Sequence, residues 1–226
     1  MQRASTFFSP DETAHIETAV AEAESKTSAE IVPVVATASG RYDRPEDIVG
    51  LWCGALAAAM VWLLFRAAPQ PHASWDFQWT SLELPAILLA LLAGFLAGTA
   101  AGSASGALRR LFTPQNQMRD EVALRARQVF FDRRVHHTRA GTGLLIYLSV
   151  FERMAAVLAD ETIVQKLGQN TLNELCAELT EGLRGESRAE ALCKAIGRAG
   201  DALARVLPRE PDVVNELQNT LLVLDE

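Results

Sequence analysis

Acidic side chains supply the main candidates for chemistry in this chain. Asp160 and Glu161 are adjacent, and Glu174, Glu178 and Glu181 follow at spacings that place them on one helical face. Ca²⁺ or Mg²⁺ binding, or metal-assisted phosphoryl transfer, needs several oxygens converging at about 2.0–2.6 Å from the ion. One helical face spreads its carboxylates too widely for a single ion, so 174, 178 and 181 are expected to form a solvated acidic face. That leaves Asp160 and Glu161 as the candidate metal ligands. His136 and His137, with Asp132 before them, suggest a metal. Adjacent residues on a helix diverge by about 100°, however, so surface histidines are expected. Cys176 and Cys193 read as ordinary buried thiols on helices. Ser149 lacks the flanking glycines of a nucleophile elbow. The chain contains no phosphate-binding glycine loop, dinucleotide fingerprint or H-E-x-x-H pair. No catalytic residue is assigned.

The element that must position these groups is Gly143–Val150, an apolar run of strand-forming residues, followed by Phe151-Glu152-Arg153 and the second run Met154–Asp160. This predicts a central antiparallel hairpin. Ser9-Pro10-Asp11-Glu12 predicts a capped first helix, and residues 30–36 a strand. Pro33 cannot donate to a ladder, so this strand is expected at a sheet edge or a bulge. Further helices are predicted from Gln115 to Arg134, over a short stretch from Asp160-Glu161 to Leu167, from Asn170 to Arg184, and from Ser187 to Leu207. The tail 215–224 is expected to pack back on the core.

Two stretches differ in kind. Residues 48–65 and 84–108 carry no charge and are each long enough to cross a bilayer of about 30 Å. The connector holds Pro69, Pro71, Trp75 and Trp79, as an interfacial loop would. Between residues 109 and 139 stand eight arginines, among them Arg109, Arg110, Arg119, Arg133 and Arg134, against three acids. The positive-inside bias then puts both termini in the cytoplasm and the connector outside. No apolar leader is seen at the N-terminus, so a multi-pass protein of the cytoplasmic (inner) membrane with two spans is expected. Two readings of the arginines stand: contact with anionic lipid headgroups, or a solvated face combined with the topology signal. Gly94, Gly98, Gly102 and Gly106 recur every four residues, as do Gly50, Gly54 and Ala58. This spacing predicts close packing between the spans or between copies.

The expected organisation is therefore one α/β domain made of 1–45 and 113–226, interrupted by an inserted transmembrane hairpin at 46–112. With a net charge of −7 the chain has no global basic character, and nucleic acid is not an expected partner. Three sparse cysteines exclude a disulfide framework and fit a reducing compartment.

Residues 27–35 (Thr-Ser-Ala-Glu-Ile-Val-Pro-Val-Val), 142–149 (Thr-Gly-Leu-Leu-Ile-Tyr-Leu-Ser), 152–160 and Asn215-Glu-Leu217 resemble the TPM domain family, in the variant whose membrane hairpin separates the first strand from the rest. The resemblance implies a three-layer sandwich, with a small mixed β-sheet carrying helices on both faces. It also implies an accessory or quality-control role for membrane complexes, of the kind seen in photosystem repair and receptor assembly. Weak phosphatase activity and divalent-cation binding have been attributed to some members. Here Asp160-Glu161 stands where others have a glycine-rich turn, and the hairpin replaces the family's other acidic loop. The leading expectation is a non-catalytic interaction module that binds lipid and a membrane-protein partner or itself, without a cofactor. The alternative is a weak phosphatase dependent on Ca²⁺ or Mg²⁺.

Overall fold

The computed structural model describes residues 2–42, 44–67, 77–104, 106–138, 141–185, 187–210 and 217–225. Arg139, Pro69, Pro71, Trp75 and the Asn215-Glu216 part of the tail motif lie outside the described residues, and the side chain of Trp79 is likewise not described. The helices are α1 (Pro10–Glu24), α2 (Arg44–Ala67), α3 (Phe77–Ala104), α4 (Gly106–Phe112), α5 (Gln115–Asp132), α6 (Glu161–Leu167), α7 (Gln169–Gly182) and α8 (Arg188–Val206). The strands are β1 (Glu30–Ala36), β2 (Gly143–Ser149), β3 (Met154–Ala159) and β4 (Leu222–Leu224). The chain divides into two compact units. One is Arg41–Pro114, and the other combines Gln2–Gly40 with Gln115–Glu226.

In the second unit the sheet order is β3-β2-β1-β4. The β2–β3 hairpin is antiparallel, with Leu144 opposite Ala159 and Ser149 opposite Met154. β1 lies parallel to β2 along its whole length, from Glu30 beside Gly143 to Ala36 beside Ser149. Because strand side chains alternate between faces, the sheet has two apolar surfaces. Ile31, Val35, Leu144, Ile146 and Leu148 pack with α1, α6, α7 and α8. Val32, Val34, Leu145 and Tyr147 pack against Val122, Ala126, Val129 and Phe130 of α5. The result is a three-layer α/β sandwich around a mixed sheet, the architecture expected from the strand and helix patterns. α1 opens with a complete capping box between Ser9 and Glu12, and Pro10 occupies its first turn.

Three expectations need correction. β1 is an interior strand, not an edge one, because the tail adds β4 beside it at Val34–Ala36. Pro33 is tolerated there for a local reason. Glu30 N–H donates to Thr142 O on the β2 side, so Ile31, Pro33, Val35 and Thr37 point the other way. Ile31 N–H finds a carboxylate of Glu24, and Thr37 N–H finds Leu224 O. Pro33 falls on that side just before β4 begins and has no donor to satisfy. His136 and His137 lie in the exposed turn after α5 rather than on a helix. Asp160 begins α6 by its backbone only, since its side chain makes no capping bond.

In the first unit α2 and α3 form a helical hairpin. A Cβ built on Gly98 would lie 2.7 Å from the Cβ of Cys53 and 2.9 Å from Gly50 Cα. One on Gly94 would lie 2.8 Å from Cys53 O and 3.0 Å from Gly54 Cα. The small residues at these positions therefore let the two backbones touch. The opposite faces carry Leu51, Trp52, Leu56, Met60, Leu63, Leu84, Leu88, Leu89 and Leu96, each more than half exposed.

Candidate functional site

The densest polar cluster in the α/β unit sits where β1 and β2 end side by side. The β2–β3 turn brings Glu152 inward, and its carboxylate is only 3% exposed. Oε1 accepts the backbone N–H groups of Ser39 (2.8 Å) and Gly40 (3.3 Å), and Oε2 accepts the Ser149 hydroxyl. The Ser39 hydroxyl shares a 3.0 Å bond with Tyr147 Oη. Burial pushes the Tyr147 phenol above its ordinary range, with the Ser39 bond opposing. A hydroxyl beside a carboxylate is the pairing that activates a nucleophile. Ser149 is nevertheless wholly buried, and its proton is committed to Glu152. In this arrangement the cluster fixes the loop that leaves β1 and the turn that leaves β2. From its sequence Glu152 belongs to the reversal between the two strands of the hairpin, with no role assigned. The one local signal was Ser149-x-x-Glu152 bracketing the turn.

Asp160 stands at the other end of the hairpin. Its Oδ2 accepts Gly143 N–H at 2.9 Å, and burial raises its carboxyl pKa against that bond. Glu161 is exposed and accepts from Gln165 Nε2 at 3.0 Å. The two carboxylates are thus engaged separately. Among the described residues, no group of three or more His, Cys, Asp or Glu converges as a metal would require. Glu174, Glu178 and Glu181 are exposed along α7, and Glu178 pairs with Arg198 of α8. An open groove of about 410 Å³ runs between these helices, lined by Glu178, Glu181, Lys194 and Arg198 among others. Burial pushes both the Cys176 and Cys193 thiols up, which keeps them protonated and poorly nucleophilic. Cys176 Sγ donates to Ala155 O.

A second buried carboxylate was not foreseen. Glu24, at the end of α1, is 6% exposed and takes Ile31 N–H at 2.7 Å. Burial raises its pKa to about 7, against the opposing Ile31 bond. Glu30 beside it accepts Leu217 N–H at 3.3 Å, and Glu17 accepts Leu221 N–H at 3.3 Å. Glu17 and Glu30 thereby pin the segment that leads into β4, and Glu24 reaches it through a side-chain bond with Asn219.

The basic residues divide. Arg109, expected to face lipid, instead pairs with Glu46 across the base of the hairpin. Arg110 is half-buried, whereas Arg119, Arg133 and Arg134 are exposed. Of the glycines, Gly50, Gly54, Gly94 and Gly98 meet in the contact between α2 and α3. A Cβ built on Gly102 would have more room, with Glu46 Cα nearest at 3.3 Å. Gly106 belongs to α4.

No family model matches the chain, and no curated protein matches it. Its fold is similar to the NMR structure of the BA42 protein from the psychrophilic bacterium Bizionia argentinensis, with a TM-score of 0.56 over 98% of this chain and 99% of that one. At 17% identity the likeness extends to the fold alone.

Proposed function

We propose that the protein is a membrane-anchored accessory module, a TPM-like α/β domain held at the inner face of the cytoplasmic membrane by its α2–α3 hairpin. Both termini lie in the cytoplasm, and its task is to bind or stabilise another membrane complex without catalysing a reaction. The observation that carries this reading is the inverted packing of the hairpin. Its glycines face inward, while Leu, Trp and Met side chains cover its outer surface for the length of both helices. Exposed apolar area of that extent is rare on a water-soluble surface, and a bilayer solvates it. The 22 and 23 residues of the two apolar stretches, Glu46–Ala67 and Leu82–Ala104, give lengths of about 33–35 Å at 1.5 Å per residue, enough to cross. The arginines that follow favour the cytoplasmic side. The TPM-like motifs favour an accessory role over a dedicated enzyme.

The test is purification of the full-length protein from membranes in mild detergent after crosslinking in cells. A membrane protein recovered in fixed ratio, and lost when the hairpin is replaced by an unrelated two-span anchor, is the expected result. Recovery of the chain by itself would refute the partner, and recovery from the soluble fraction would refute the anchor.

A further inference from the structure

α5 carries an outer face that its packing does not explain. Its inner face, Met118, Val122, Ala126, Val129 and Phe130, is buried. Leu124 and Phe131 are 54% and 59% exposed and stand seven residues apart, close to two turns, so they share one azimuth on the opposite side. Among the described residues of the α/β unit, Val223 is the one other large hydrophobic left this exposed. Exposed Arg127, three residues from Leu124 and four from Phe131, borders the pair, and exposed Arg133 and Arg134 follow it. Asp120 and Asp132 are the acids on that exposed side. A helix that faced only water would place its charges where Leu124 and Phe131 stand. Large apolar side chains flanked by arginines are instead the composition of a helix lying in a lipid–water interface. Its place in the chain agrees. Thr113 and Pro114 alone separate α5 from α4. Two intervening residues span at most about 10 Å. Leu111 and Phe112 at the end of α4 are themselves exposed.

We infer that the outer face of α5 docks on an anionic phospholipid surface, with Leu124 and Phe131 entering the acyl boundary and Arg127, Arg133 and Arg134 meeting phosphates. The inference rests on the membrane-anchored reading, because the surface is that of the bilayer holding the hairpin. Arg109, spent on Glu46, takes no part.

The experiment uses the full chain reconstituted into phosphatidylcholine vesicles, with and without phosphatidylglycerol, containing lipids brominated on their acyl chains. All four tryptophans, Trp52, Trp62, Trp75 and Trp79, lie in the hairpin segment, so their quenching reads anchoring alone. A bimane label on Leu124→Cys, in a chain carrying Cys53→Ala, Cys176→Ser and Cys193→Ser, reads docking. The expected result is quenching of both, with the label quenched about two-fold more when anionic lipid is present, and that gain lost in high salt. The gain should also vanish when Arg127, Arg133 and Arg134 are all changed to Gln. Quenched tryptophans with an unquenched label would overturn the docking and leave the anchor standing. A label shielded only as protein concentration rises would assign the face to a second copy and overturn the docking too. Quenching of neither would defeat both readings, and a quenched label with unquenched tryptophans would defeat the anchor and, with it, a docking on the bilayer that the hairpin holds.

Discussion

The hairpin and the α/β unit pack their helices by opposite rules. In the hairpin, glycines and alanine meet at the contact and the large apolar side chains point out, with Leu89 68% exposed and Leu56 65% exposed. In the α/β unit, Ile16, Leu144, Ile163, Leu192 and Ile196 are wholly buried, and charged residues take the surface. A glycine also sits between α1 and α8, where a Cβ on Gly200 would come 2.6 Å from Ala23 Cβ, but there it is flanked by a continuous aliphatic core. On the membrane-anchored reading proposed above, the difference follows from the solvent each surface meets. In water, burial of a large aliphatic side chain is worth about 1.5–3 kcal/mol, so such side chains are driven inward. Between helices in lipid that drive is absent, and close backbone approach and van der Waals contact hold the pair.

The comparison can be broken most severely at Gly98. Leucine there must displace Cys53 and the Gly50 backbone, not a flexible side-chain tip. Gly98→Leu is expected to destabilise the hairpin by about 3 kcal/mol or more, read as loss of the folded form in a denaturing-detergent titration of the purified protein. Gly102→Ala, with its nearest atom at 3.3 Å, is the matched control and should change stability by less than about 1 kcal/mol, since alanine's helix preference offsets the tighter contact. Equal losses from the two changes would show that backbone approach is not what joins these helices.

The α/β unit breaks by a different mechanism, loss of a polar hub. Glu152→Ala leaves the N–H groups of Ser39 and Gly40 and the hydroxyl of Ser149 buried without their acceptor. The expected cost is about 2–3 kcal/mol, measured by hydrogen exchange of the β1 and β2 amides in the full chain. Exchange in the α2–α3 hairpin should not move. A change confined to the 150–153 turn would show instead that Glu152 is an ordinary turn residue.

These two results also mark what could be read from the residues and what could not. Local signals locate the hairpin of β2 and β3 through two apolar runs about a reversal, the start of α1 through its capping box, and the helices α7 and α8, because each signal lies within a few residues of what it specifies. The three-residue β4 is too short to show alternation. Without it Pro33 can only be read as an edge signal. Glu152 and Glu24 hide for a related reason. Their burial is created by Ser39, Gly40 and Ile31, which are brought in by the fold, while the neighbours Phe151 and Arg153, or Ala23 and Ser25, look like those of any surface acid. The acids of α7 were legible as a solvated face because their spacing follows one helix. The separate engagement of Asp160 and Glu161 was not, since the partner of Asp160 is the first residue of β2.

The smallest of the three effects concerns Glu24 and is a matter of pH. Burial raises its carboxyl from the ordinary 4.5 to about 7. The surrounding groups pull in different directions. Glu30 favours the neutral form, while the Ile31 N–H, Asn219 and Arg209 favour the charged one, and Arg209 Nη1 also donates to Glu24 O at 2.7 Å. Because the folded pKa lies above the unfolded one, the contribution of this group is complete below pH 4.5 and is lost as pH rises through about 7. Protection of the Ile31 amide should therefore weaken across that window, by on the order of 1–2 kcal/mol. Glu24→Gln keeps an oxygen for Ile31 N–H and removes the titration. Its protection should match that of the unmodified chain at low pH, exceed it above neutrality, and show no slope between. A slope that survives in Glu24→Gln would move the titration to Glu30, and the strap that carries β4 would then hang on that carboxylate instead.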